Sequence, residues 1–279
     1  MKKTNEKQRK IQSLCLAMAI MLTANLIYGD VFKGKSTEVY SGNSDVLGGK
    51  NINNIDNTKP SKELEKAQPI QEEKSSVSDE DKIRRLIKDD KDNILRLVNE
   101  DNKVDDKDLR NSLVVPNVSL VDTGKNEKNL LRKEAASALE NMLLDAKNNK
   151  LTIYLSSGYR SKERQIQVYN AKVYNSGNKE QAFVAKPGHS EHQTGLAVDL
   201  TSKSVKFKLI QDFQYTAEGK WLYENAHKYG FILRYPKNKK DETGYAFEPW
   251  HFRYVGVEVS TYMKKHNLTL EKLYEKLNL

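Results

Sequence analysis

The sequence predicts an α+β domain over residues 93–279, preceded by a disordered polar tether, and three observations carry that expectation. Helix-period and strand-period stretches interleave from Asn93 onward without regular strand–helix–strand alternation, which argues for a mixed fold rather than a doubly wound parallel sheet. Charged residues make up 30% of the 279 and the hydrophobic set only 37%, so part of the chain builds no core. The third is where that polar texture falls: it lies ahead of residue 93. The same figures exclude a multi-span membrane protein, and 14 glycines and 6 prolines without a period exclude collagen-like and Gly/Pro-rich chains.

The elements follow in chain order. Lys2, Lys3, Lys7, Arg9 and Lys10, opposed only by Glu6, precede the uncharged run Ile11–Ile27. A positive head before a short apolar run is the pattern of an export signal. Ile27-Tyr28-Gly29 is a poor small-x-small cleavage site, so residues 1–29 read as a signal peptide or as a retained N-terminal membrane anchor. Cys15, inside that run, is the single cysteine, so any metal site beyond it must use His, Asp or Glu. Residues 30–92 read as a polar, largely disordered linker, because Asp30–Ser78 cannot bury enough apolar surface to offset its ordering entropy. Within it, Asp79–Lys91 carries one short helix with Ile83, Leu86 and Ile87 on one side. Ile94–Val98 reads as a short strand and Leu113–Val115 as an apolar patch before Pro116. Leu130–Asn148 is an amphipathic helix, with Leu131, Ala135, Ala138, Leu139, Met142 and Leu143 at helical spacing. Strands are expected at Leu151–Leu155, Leu196–Leu200 and Trp250–Val255, helices at Lys162–Asn175, Gly219–Tyr229 and Thr269–Leu277, and a loop at Ser176–Lys186. The net charge of +9 is weighted toward the N-terminal head, not gathered on one face of the folded part, so no nucleic-acid partner is expected.

All five histidines fall in the last third of the chain. His192 precedes a Thr-Gly turn, and Asp199 stands inside a short apolar strand, where a carboxylate is costly unless it is paired with an arginine or backbone amides, or binds a metal. Glu248 and His251 lie three apart at the start of an aromatic strand, with Pro249 between them arguing against a helix. Two histidines and an aspartate make a three-ligand zinc site with an open fourth position, and Glu248 is then a spare base beside it. His189 is ambiguous, being close to His192, while His227 and His266 read as structural or exposed. Arg160, where Ser157-Gly158-Tyr159 breaks from strand to helix, either grips a carboxylate bidentately or forms a structural salt bridge. No HExxH helix is present, so the zincin class does not fit.

The segments SSGYRSKERQ, PGHSEHQTGLAVDL, WLYENAHKYGFILRYP and EPWHFRYVG, in this order and spacing, resemble the VanY-type D-alanyl-D-alanine carboxypeptidases, zinc peptidases grouped with the L,D-carboxypeptidases. The resemblance covers residues 93–279 and implies a single small zinc-peptidase domain with a central antiparallel sheet flanked by helices. It implies His192, Asp199 and His251 as Zn2+ ligands, Glu248 as catalytic base, and Arg160 at the substrate as terminal-carboxylate clamp or oxyanion support, with Ser190 and Gln165 as weaker substrate contacts. The implied partner is the peptidoglycan stem peptide, trimmed by one D-alanine outside the plasma membrane. The protein is expected to be a monomer that meets the membrane only through its N-terminal segment. Two other readings share the same motifs: a peptidoglycan endopeptidase, and a non-catalytic wall-binding module with a structural zinc.

Overall fold

The computed structural model describes residues 78–104, 112–176 and 184–279. The expected signal or anchor, the tether up to residue 77 and most of the loop expected at Ser176–Lys186 lie outside the described residues. Among the described residues no helix is long and apolar enough to cross a membrane.

The elements are α1 (Asp79–Lys88), β1 (Leu113–Val114), β2 (Leu131–Arg132), α2 (Lys133–Asn148), β3 (Tyr154–Ser157), α3 (Lys162–Ser176), β4 (Ala197–Thr201), α4 (Ala217–Asn225), β5 (Phe231–Leu233), α5 (Lys240–Thr243), β6 (His251–Tyr254), α6 (Val257–His266) and α7 (Leu270–Leu277). Strands β1 and β2 form a small antiparallel ribbon, and the central sheet runs β3-β4-β6-β5 with every pairing antiparallel. This is the antiparallel sheet flanked by helices that the sequence implied.

Strand alternation decides which residues face the core and which face outward from it. Leu155 on β3, Val198 and Leu200 on β4, Phe252 on β6 and Phe231 on β5 point to one face, against Leu139, Met142 and Leu143 of α2 and Leu222 of α4. Each such side chain, fully buried, contributes about 1.5–3 kcal/mol. The intervening residues Asp199, His251 and Arg253 point to the opposite face. There Ile232, paired with Arg253, joins a second cluster with Ile83 of α1, Val259 and Met263 of α6, and Leu273 and Leu277 of α7. Thr269 caps α7 by accepting from the Lys272 amide at 3.2 Å.

Three expectations are revised. Ile94–Val98 is not a strand: its carbonyls are taken by side chains, with Arg253 Nη2 donating to Ile94 O and Arg96 O and Arg234 Nη2 to Val98 O. Helix α1, read as part of the linker, is packed, since Ile83 is buried and Ser78 caps it by accepting from the Asp81 amide. Strand β5 and helix α6 were not marked among the expected elements: three residues of β5 show no period, whereas Val259, Tyr262 and Met263 of α6 do keep helical spacing.

Candidate active site

The site is built where β4 and β6 pair. Their register sets Asp199 directly opposite His251, so the two side chains leave the sheet together on the face away from the core. His192 arrives from a one-turn 3-10 segment, Glu191–Thr194, which feeds β4 through Gly195. Gly195 holds a φ of +67°, a conformation that residues with a Cβ rarely adopt, which favours glycine at this turn. The result is convergence: one ligand atom from each of His192, Asp199 and His251 lies within 4.8 Å of the others. His192 Nε2 is 3.3 Å from Asp199 Oδ2, and His251 Nδ1 is 3.1 Å from Asp199 Oδ1.

The other ring nitrogens are already engaged. His192 Nδ1 lies 2.7 Å from the Gly158 carbonyl and His251 Nε2 lies 3.3 Å from Glu191 Oε2. An acceptor behind each ring holds a hydrogen on the far nitrogen, which turns Nε2 of His192 and Nδ1 of His251 toward Asp199 as the nitrogens a metal would take in place of a proton. Gly158 reaches His192 because its backbone is pressed against Leu130 O, 2.5 Å from where a Cβ would stand. Two imidazoles and a carboxylate with supported outer nitrogens fit zinc.

Around this cluster lies a cavity of about 360 Å³ lined by Arg160, Ser190, Glu248 and the three cluster residues, with Tyr235, Tyr245 and Trp250 among its walls. Tyr235 stacks on His251 at 4.9 Å and on Tyr245 at 4.7 Å. Glu248 Oε2 stands 3.9 Å from His251 Nδ1. Burial pushes the Glu248 pKa up to about 7, with His251 opposing and Asp199 adding to the shift. Burial would also raise Asp199 and lower His251, but their neighbours overrule it: His192 first and then His251 hold Asp199 well below the usual carboxylate range, and Asp199 and Glu191 push His251 up to about 9. His192 is lowered by burial, partly offset by Asp199.

Arg160 donates its backbone N–H to His192 O at 3.1 Å and its Nη1 to the neutral Gln165 Oε1 at 3.0 Å. The salt bridge considered for it is not found among the described residues; its guanidinium lines the cavity instead. Gln165 is buried beside the site: Nε2 donates to Ala185 O at 2.6 Å while Oε1 holds Arg160, so what the structure places there is a support for Arg160. His189 turns away, its Nδ1 lying 2.8 Å from Asn99 O.

Sequence reasoning passed over Glu191. Its side chain is fully buried, accepting at Oε1 from Arg234 Nε at 2.8 Å and Arg253 Nη1 at 2.7 Å. Burial would raise its pKa, but the two arginines hold it well below the usual carboxylate range. The available signal was Arg234 and Arg253 themselves: arginines beside or inside apolar strands demand a buried partner.

A family model for VanY, D-alanyl-D-alanine carboxypeptidase, matches residues 128–257. The Bacillus subtilis (strain 168) protein YodJ is 46% identical over 186 residues, which are 66% of this chain and 68% of that one. The solved structure of the LdcB LD-carboxypeptidase is similar at a TM-score of 0.64 and 45% identity, covering 66% of this chain and 87% of that chain. A second structure, the vancomycin resistance D,D-pentapeptidase VanY from a VanB-type cassette in complex with Zn(II), is similar at a TM-score of 0.51 and 31% identity, covering 64% of this chain and 98% of that chain.

Proposed function

The chain belongs to the VanY D-alanyl-D-alanine carboxypeptidase family, and from that premise we propose that it is a zinc-dependent carboxypeptidase removing the terminal D-alanine from peptidoglycan stem peptides. The observation that carries the reading is the convergence of His192, Asp199 and His251, with outer ring nitrogens supported, beside a free carboxylate at Glu248. A zinc ion held by these three residues would supply a Lewis acid for the scissile carbonyl and the attacking water.

The remaining work falls to the chain's own groups. Glu248 would accept a proton from the attacking water and deliver it to the leaving amine, and burial, which favours its protonated form, suits a group that must do both. Arg160, held by Gln165 and by its own backbone contact with His192 O, presents its guanidinium to the substrate's terminal carboxylate, a pairing that its planar fork can make bidentate. Ser190, buried at the cavity wall, is a further polar contact. Tyr235, Tyr245 and Trp250 narrow the cavity to a small leaving residue.

Of the two bonds open to such an enzyme, the higher identity to the LD-carboxypeptidase, 45% against 31% for the D,D-pentapeptidase, favours the tetrapeptide's L-to-D bond. The basic head and apolar run of the first 27 residues support work outside the plasma membrane. Mass spectrometry of products from defined penta- and tetrapeptide stems tests the proposal. Loss of one D-alanine from the tetrapeptide, dependent on zinc, is expected. Cleavage of the pentapeptide alone reverses the bond preference, and release of D-alanine from neither overturns the carboxypeptidase reading.

A further inference from the structure

Behind His251 lies a charge-balanced cluster of three buried residues, Glu191, Arg234 and Arg253, with the partly exposed Glu271. Arg234 gives Nε to Glu191 and its two Nη atoms to Glu271 of α7, at 2.9 and 2.6 Å. Arg253 gives Nη1 to Glu191 and Nη2 to the carbonyls of Ile94 and Arg96. A glutamate present only to neutralise two arginines would spread both oxygens over them. Here Oε1 receives both arginines, at 2.8 and 2.7 Å, and Oε2 is left facing His251 Nε2 at 3.3 Å. His251 is otherwise held by Asp199 on Nδ1 and by the Tyr235 ring stacked on its face. Asp199 at Nδ1 is a competing acceptor, so the contact at Nε2 is what keeps a hydrogen on that side of the ring.

We infer that Glu191 is a positioning residue of this site: it holds a His251 hydrogen on Nε2, so that Nδ1 is the nitrogen offered to a cation beside Asp199, and its two arginines fasten that orientation to residues 94–98. The inference rests on the zinc reading above.

Glu191→Gln is the sharpest probe, because a glutamine has one acceptor where the network needs two. Arg234 and Arg253 both donate to the Oε1 position, so the amide oxygen settles there and the amide NH2 faces His251. His251 must then accept at Nε2 and carry its hydrogen on Nδ1, the atom a cation needs. In the full chain, Glu191→Gln should weaken cobalt and zinc binding by about 10–100-fold and alter the visible spectrum of bound cobalt. Glu271→Gln removes the same charge from the same network without touching His251, and should leave cobalt affinity and spectrum at wild-type values. If Glu191→Gln does not fold, NMR of the zinc-loaded wild type decides, the expected result being a His251 Nε2 hydrogen shifted downfield by a hydrogen bond to the Glu191 carboxylate. Unchanged affinity and spectrum in Glu191→Gln, an equal loss in Glu271→Gln, or an Nε2 hydrogen without that shift each overturn the inference while leaving the zinc reading standing. A wild-type chain that takes up neither metal sinks the zinc reading, and this inference with it.

Discussion

At the scale of single residues, Glu248 and Arg160 are assigned different work, and substitutions should separate them. Glu248→Gln keeps the shape and hydrogen bonding of the group but cannot take a proton, so metal content and substrate affinity should stay near wild type while turnover falls by about 10²–10⁴-fold. Arg160→Lys keeps the charge and loses the fork, so binding should weaken by about 1.5–3 kcal/mol. Amidating the substrate's C-terminus should cost the wild type about as much and Arg160→Lys far less, since both changes remove one contact. Equal cleavage of free and amidated peptides by the wild type contradicts the carboxylate role. His192→Ala, Asp199→Ala and His251→Ala should each reduce bound zinc, measured on the purified full chain, and abolish hydrolysis. Full zinc retention in all three removes the ligand assignment. Asp199 was legible because it is chemically out of place in Ala-Val-Asp-Leu-Thr, and His192, His251 and Glu248 because they combine with it into one ligand set and base, whereas Arg160 was placed at the substrate only by the family resemblance. Glu191 was not legible, although it adjoins His192, since its role is set by Arg234 and Arg253, 43 and 62 residues away.

At the scale of elements, β4 and β6 were legible because a two-residue alternation shows in the sequence: Val198, Leu200 and Phe252 for the core, Asp199 and His251 for the site. Helix α2 was legible because Ala135, Leu139, Met142 and Ala146 keep helical spacing over its length. The segment at Ile94–Val98 misled because an extended apolar stretch reads the same whether a strand or arginine side chains take its carbonyls. Three residues of β5 are too few to display a period. Helix α1 is the element whose packing the composition around it hid. Ile83, at 3% exposure, inserts among Val259, Met263 and Leu273, so Ile83→Ala should lower unfolding free energy by about 2–5 kcal/mol in denaturant titrations. A loss within experimental error of zero means that α1 is not docked in solution.

At the scale of the whole molecule, the site draws on distant stretches of chain: the turn after β3, the Glu191–Thr194 segment, the facing centres of β4 and β6, and, through Arg234 and Arg253, residues 94–98 and α7. Because those parts meet only when folded, a cation bound there stabilises the native state, by about 2.7 kcal/mol at a hundredfold excess over its Kd. The gain should depend on pH, since proton and cation compete for His251. Asp199 and Glu191 raise the pKa of His251 to about 9 in the metal-free protein, above its unfolded value near 6.5. The stability its proton contributes is therefore fully present below about 6.5 and fades as pH rises through 9. Zinc must displace that proton, so at fixed free zinc its affinity should tighten across this window. Thermal melts of the full chain at pH 6, 7 and 8, with and without zinc at one free concentration, should show the zinc-induced rise in midpoint growing with pH. A rise that is constant or shrinks from pH 6 to 8 rules out His251 as the ligand whose proton the metal displaces.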